Sequence, residues 1–199
     1  MSEKMKVVIC PGHYPAKPGA QYYGLSEHTE AKKVVNFLMN GLKTKFDVFT
    51  FIGSLSEKID YVKSLDNVVL ALDVHFNADD DDDTNDLYGR GTEVLIGPYC
   101  KNNKTVDVAT SIGMSISTIL GIPNRGVKPG WYKMDNNKKD VDAFVRDLPD
   151  MGLIIEILFM DNKAEYKMLL KNEHMKMASA IALGIQRSFA IELAQIILK

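Results

Sequence analysis

Four residues of the 199-residue chain combine a chemically active side chain with a placement that would aim it: His13, Glu27, His75 and Glu156. His13 follows a Pro-Gly turn, Glu27 opens a helical pattern, and His75 stands where a strand's apolar run gives out. Glu156 interrupts the apolar run Gly-Leu-Ile-Ile-Glu-Ile-Leu-Phe. Two imidazoles and one carboxylate, with a fourth position left to water, form a set suited to zinc, which makes hydroxide available near neutral pH. Glu156 suits another task. A carboxylate flanked by Ile154, Ile155, Ile157 and Leu158 is poorly solvated, and the raised pKa that results fits a general base that later acts as the acid. Spacing alone leaves other readings open. His13 could cap a turn, His75 could be a hydrogen-bonded histidine at the sheet edge, and Glu27 a carboxylate favoured by the helix dipole. A salt bridge to Arg125 or Arg146 would account for Glu156, since an unpaired carboxylate in an apolar strand is costly. Glu30 rivals Glu27 because the two share one helical face.

The elements that must position these residues are read from periodicity. Lys6 to Cys10 is a predicted strand closed by Pro11-Gly12, which leaves His13 on the loop above it. With Ser26 as N-cap, Ala31, Val34, Val35, Leu38 and Leu42 recur at helical spacing and predict a helix from Glu27 to Lys43. A strand over Phe46 to Ile52 and a helix over Leu55 to Leu65 follow. Val68 to Ala78 reads as a strand covered on both faces, delivering Asp73, His75 and Asn77 at the end where polar side chains point into a site. An acidic loop, Asp79 to Asp83 with Asp86, comes next; it lacks the glycine and terminal glutamate of a calcium-binding EF-hand loop and is read as solvated. Further on, Gly91 to Ile96 is a strand, Val108 to Leu120 a helix, Ile122 to Asp150 an irregular charged segment, and Gly152 to Phe159 a buried strand. A single helical face from Asn172 to Ile197 is expected to pack on the sheet or on another subunit. Alternating strands and helices predict an α/β fold with one domain over 1–199, the 172–199 helix lying on it. His28 and His174 are expected to be solvated helix residues. Trp131 and Tyr132 either line a groove or cover the core.

Composition narrows the classes. Hydrophobic residues make up 46% and charged residues 25% of the chain, ordinary for a globular domain. A net charge of −2 gives no electropositive field, so nucleic acid is set aside. The amino terminus runs straight into a strand with no apolar stretch long enough for a signal peptide or membrane span, so cytosolic synthesis is the expectation. Cys10 and Cys100 stand far apart in unlike contexts, which argues against a disulfide framework. No phosphate-binding Gly-x-x-x-x-Gly-Lys, Gly-x-Ser-x-Gly elbow or His-Glu-x-x-His occurs, and the dinucleotide glycine fingerprint is incomplete.

The words around the four residues add a likeness. Val-Val-Ile-Cys-Pro-Gly-His13, Gly24-Leu-Ser-Glu27, Val74-His75-Phe-Asn77-Ala78, Gly91-Thr-Glu-Val, Asn124-Arg-Gly-Val-Lys128 and Leu-Ile-Ile-Glu156-Ile-Leu-Phe occur in the chain in that order. Together, over roughly residues 5 to 170, they resemble the zinc-dependent N-acetylmuramoyl-L-alanine amidases of the AmiC/CwlV-like catalytic type. The resemblance implies a twisted, largely parallel sheet with helices on both faces and a metal above the strand ends. It implies His13, Glu27 and His75 as zinc ligands and Glu156 as the catalytic glutamate. Peptidoglycan is the implied substrate, cut between N-acetylmuramic acid and L-alanine, and Arg125 could anchor a stem-peptide carboxylate or a muramoyl oxygen through its planar donors. Three departures stand out: Cys10 replaces the acidic residue common before Pro-Gly-His, Tyr14 replaces a glycine, and the segment between Lys128 and Pro149 is longer and more charged. Without a leader, a phage or prophage lysin, or export by an unusual route, is the implied setting. The rivals are a zinc peptidase acting on stem peptides and a non-catalytic wall-binding or virion structural protein of the same fold.

Overall fold

The first strand, β1 (Lys6–Pro11), is apolar at nearly every position because both of its faces are covered. A computed structural model describes residues 4–79, 89–133 and 139–197, with the backbone alone for 132, 133, 139 and 195–197. After β1 come the short pair β2 (Gln21–Tyr22) and β3 (Leu25–Ser26), then α1 (Glu27–Leu42), β4 (Asp47–Phe49), α2 (Leu55–Lys63) and β5 (Val68–Asn77). The second half runs β6 (Thr92–Ile96), α3 (Asn103–Leu120), β7 (Asn124–Pro129), β8 (Trp131–Lys133), β9 (Lys139–Val141), α4 (Ala143–Asp147) and β10 (Gly152–Phe159). Three helices close the chain: α5 (Tyr166–Leu170), α6 (His174–Ser188) and α7 (Ala190–Ile197).

Six strands form the central sheet in the order β4-β1-β5-β10-β6-β7. All neighbours run parallel except β10 and β6, which are antiparallel, so the expected largely parallel α/β sheet is present with its last two strands reversed. One face is covered by α1, α3 and α6, whose Val34, Ile112 and Ile181 pack with Val7, Leu72 and Ile155. The other is covered by α2 and α4, through Ile59, Val62, Phe144 and Val145 against Val8, Ala71 and Ile154. Register carries the site. Side chains paired across neighbouring strands share a face, and His75 of β5 pairs with Glu156 of β10, which pairs in turn with Glu93 of β6. One step earlier, Cys10 pairs with Asp73 and Asp73 with Ile154.

Several elements depart from the periodicity. The helix expected from Val108 begins at Asn103, because Asn102 caps it by accepting the Lys104 amide at 3.0 Å. Residues 103–107 carry little apolar signal, so the pattern missed this turn. The single helix expected over 172–197 is two: Asn172 adopts a left-handed conformation and ends α5, α6 starts at His174, and Phe189 separates α6 from α7. Phe189 is buried edge-on against Phe46, 5.7 Å between ring centres. The segment 122–150 is less irregular than expected, holding β7, β8, β9 and α4, the last capped by Asp142. Beyond Asp79, the acidic loop Asp80 to Asp83 with Asp86 lies outside the described residues, as do the Tyr132 side chain and residues 134–138.

Candidate metal centre

The site is built at the carboxyl ends of β1 and β5. Pro11 ends β1, and the Gly12 amide continues the sheet by donating to the Val74 carbonyl at 2.7 Å. His13 follows in a left-handed conformation, φ 56°, rare for a residue with a side chain and a common mark of functional positions. His28 of α1 fixes this turn from the other side, its Nδ1 3.0 Å from the Gly12 carbonyl oxygen. The expectation that His28 is solvated is therefore wrong: its ring is buried between α1 and the turn. Ser26 stands at the N-cap of α1 as expected, but its hydroxyl donates to Thr29 Oγ1 and makes no capping bond to the helix backbone.

Glu27, the first residue of α1, is buried between two imidazoles. Its Oε2 lies 2.9 Å from His13 Nε2 and accepts from the Ala20 amide at 3.0 Å. Its Oε1 lies 2.8 Å from His75 Nδ1 and accepts from the Phe76 amide at 3.3 Å. Burial alone would raise the Glu27 pKa, but the hydrogen bonds and charge of His13 and His75 prevail and hold it well below the usual carboxylate range. The ligand atoms of His13, Glu27 and His75 lie within 4.8 Å of one another, and no other such group occurs among the described residues. Glu30, the rival on the same helix, faces away toward α6. Its carboxylate meets His174 Nε2 at 2.7 Å and Lys33 at 2.8 Å. His174 is accordingly buried, a second correction to the expectation of a solvated histidine.

Small residues leave room for this grouping. A Cβ on Gly12 would stand 2.7 Å from His75 Nδ1, and one on Gly19 would collide with Glu27 Oε2 and the His13 ring. The His13 side chain keeps 35% of its exposure, and a cleft of about 360 Å³ opens beside His13 and His75. Two neutral-capable imidazoles and a carboxylate, converging with one open side, fit a divalent metal that keeps a position for water or substrate.

Glu156 sits beside His75 in register. Its Oε2 is buried without a hydrogen-bond partner. Burial pushes its pKa up to about 8; His75 opposes the rise, while the carboxylates of Glu27, Glu93 and Asp73 reinforce it. Neither salt bridge weighed for it forms: Arg125 Nε bonds Glu93 at 2.7 Å, and Arg146 pairs with Asp147. The Arg125 guanidinium also stands 4.9 Å from the Phe159 ring centre. Lys128 also reaches Glu93, and together the two cations outweigh burial and keep that carboxyl below its ordinary pKa.

On the other side of His75 is a contact that sequence reasoning missed. Asp73 Oδ2 lies 3.2 Å from His75 Nε2, and Asp73 Oδ1 accepts from Lys58 Nζ at 2.8 Å. Lys58 and Asp73 are each 2% exposed. Nothing in the α2 pattern marks Lys58 as buried, but an aspartate within an apolar strand requires a partner, and that requirement was the available signal. Cys10, next to Asp73 in the sheet, stays a neutral thiol, its pKa pushed up to about 12 by burial and by the Asp73 charge.

Residues 7–187 match the family model described as N-acetylmuramoyl-L-alanine amidase. No curated protein matches the chain. Among solved structures, an N-acetylmuramoyl-L-alanine amidase from Clostridium difficile 630 is similar at TM-score 0.76 and 17% identity, over 95% of this chain and 98% of that one. The CwlV catalytic domain from Bacillus (Paenibacillus) polymyxa var. colistinus aligns at TM-score 0.75 and 19% identity, over 94% and 99%. The catalytic domain of the CD27L endolysin targeting Clostridia difficile aligns at TM-score 0.70 and 25% identity, over 92% and 97%.

Proposed function

Because the chain belongs to the N-acetylmuramoyl-L-alanine amidase family, and is thereby a peptidoglycan hydrolase acting on the cell wall, we propose that it cuts the muramoyl–L-alanine amide as a zinc enzyme. His13, Glu27 and His75 are the proposed ligands and Glu156 the proposed catalytic residue. The observation that carries this reading is the Glu27 carboxylate set between His13 Nε2 and His75 Nδ1, with Glu156 in register beside His75.

Zinc held there would supply positive charge that polarises the scissile carbonyl and makes a water easier to deprotonate. Glu156 takes the proton of the attacking water and returns it to the L-alanine nitrogen as the carbon–nitrogen bond breaks. Burial raises the Glu156 pKa and a zinc beside it would lower it again, which leaves a carboxylate able to accept a proton and give it back. Glu93 lies beside Glu156 and pairs with Arg125 and Lys128, and Arg125 is the proposed partner for a carboxylate or muramoyl oxygen of the substrate. A lysin role accords with the likeness to an endolysin catalytic domain. No helix among the described residues is long and apolar enough to cross a membrane.

The experiment is digestion of purified peptidoglycan followed by analysis of new amino termini. Release of L-alanine amino termini is expected. Termini within the stem peptide would indicate a zinc peptidase instead, and no termini at all a non-catalytic wall protein. Glu156→Gln should lower the rate by about 10²–10⁴-fold while the protein retains its zinc. Normal turnover by that variant would rule out the proposed base.

A further inference from the structure

An imidazole that binds a metal through one nitrogen is oriented by whatever holds the other. For His75 the nitrogen facing Glu27 is Nδ1, and the nitrogen facing away, Nε2, meets Asp73 Oδ2 at 3.2 Å. The second oxygen of Asp73 is taken by Lys58 at 2.8 Å. Resting on the zinc reading above, we propose that Asp73, locked in place by Lys58, is the positioning residue that sets which nitrogen of His75 faces the metal.

The lock is rigid for reasons visible in α2. Ser54 and Glu57 form a reciprocal capping box at the start of that helix, so its first turn is pinned. Ile59 and Val62 anchor the following turn in the core formed with Val8, Ala71 and Phe144. Lys58 lies between these two anchors, buried, and its ammonium has little freedom to leave Asp73. Asp73 for its part lies within β5, two residues before His75 and therefore on the same face of the sheet. A buried ion pair is a poor way to gain stability, since desolvation offsets most of the attraction. Its geometric consequence is larger. With Lys58 on one oxygen of Asp73, the other stands beside Nε2 of His75 and favours the proton there, so that with zinc bound Nδ1 would offer its lone pair on the Glu27 side. Helix α2, which contributes no ligand, is thereby coupled to the metal centre.

The test measures zinc affinity of the full chain by chelator competition, together with the absorption spectrum of the cobalt-loaded protein. Two double variants remove both charges at once and leave none orphaned in the core: Lys58→Met with Asp73→Leu, and Lys58→Met with Asp73→Asn. Ile116→Ala is the control, because it removes core volume under α3, on the opposite face of the sheet from the pair. The Leu double variant should bind zinc about 10–100-fold more weakly than wild type, and the Asn variant, which keeps an acceptor for Nε2, should fall between. Ile116→Ala should lose stability while leaving the affinity and the cobalt bands of wild type. Wild-type affinity in a folded Leu double variant would overturn the inference while leaving the zinc reading intact. An affinity loss no greater than that of Ile116→Ala would overturn it in the same way. Failure of wild type itself to bind zinc would overturn both. Should the Leu variant not fold, the Asn variant decides: shifted cobalt bands support the inference, and bands identical to wild type overturn it.

Discussion

Glu27 and Glu30 are three residues apart on α1, both are buried, and both bond to histidine, yet they face opposite partners. Glu27 lies between His13 and His75 at the strand ends, while Glu30 joins His174 of α6 and Lys33. The same residue type one turn apart therefore separates the proposed metal ligand from a carboxylate bonded between helices, and the two substitutions should differ in kind. Glu27→Gln should abolish zinc retention after gel filtration, because an amide is a poor ligand and its NH₂ would oppose one imidazole. Glu30→Gln should retain zinc and lose about 1–3 kcal/mol of stability in denaturant unfolding, because His174 and Lys33 lose a buried charged acceptor. Zinc loss in the Glu30 variant alone would reverse the assignment.

At the scale of elements, packing between α3 and α6 supports the sheet face from which α1 delivers Glu27. Gly184 lets these helices approach, since a Cβ there would stand 2.6 Å from the Ile112 Cα, a backbone atom that cannot turn aside. Gly184→Ala should therefore lower stability by about 1–3 kcal/mol in urea unfolding, with zinc affinity unchanged in the folded fraction. Unchanged stability would mean that the two helices slide apart freely. The elements most legible in the sequence were those whose burial is two-sided. The bounds of β10 follow from one apolar run, and β5 from its continuous first half ending in His75. What escaped the pattern depends on distant chain. His28 and His174 read as surface residues because the turn at Gly12 and the carboxylate of Glu30 that bury them are contributed from elsewhere. The first turn of α3 rests on a cap rather than on an apolar stripe, and Lys58 is buried only because Asp73 needs it. Of the candidate site, the four proposed residue positions were legible from local words, but not the pair of Asp73 and Lys58 that stands against His75.

For the molecule as a whole, the site places opposing demands on stability as pH changes. Glu27, Glu30 and Glu93 have pKa values below their ordinary 4.5, so the stability each contributes is present above that pH and is lost as pH falls below it. Glu156 has the opposite sign. Its native carboxyl titrates near 8 against 4.5 for the ordinary group, so between these values the native state holds a proton that the unfolded chain has released. Stability from this residue is complete at low pH and is lost as pH rises through the window. His75, raised above its ordinary 6.5, adds a loss of the same sign at higher pH and remains when Glu156 is replaced. In chelator-treated protein, wild type should therefore lose denaturant resistance relative to Glu156→Gln between pH 5 and pH 8, the window set by the Glu156 shift. Urea midpoints of both proteins at the two pH values measure this directly, and an equal difference at both would show that Glu156 does not titrate there. Restoring zinc should shrink the effect, because a cation beside the carboxylate favours its ionised form and draws the native pKa back toward the unfolded one.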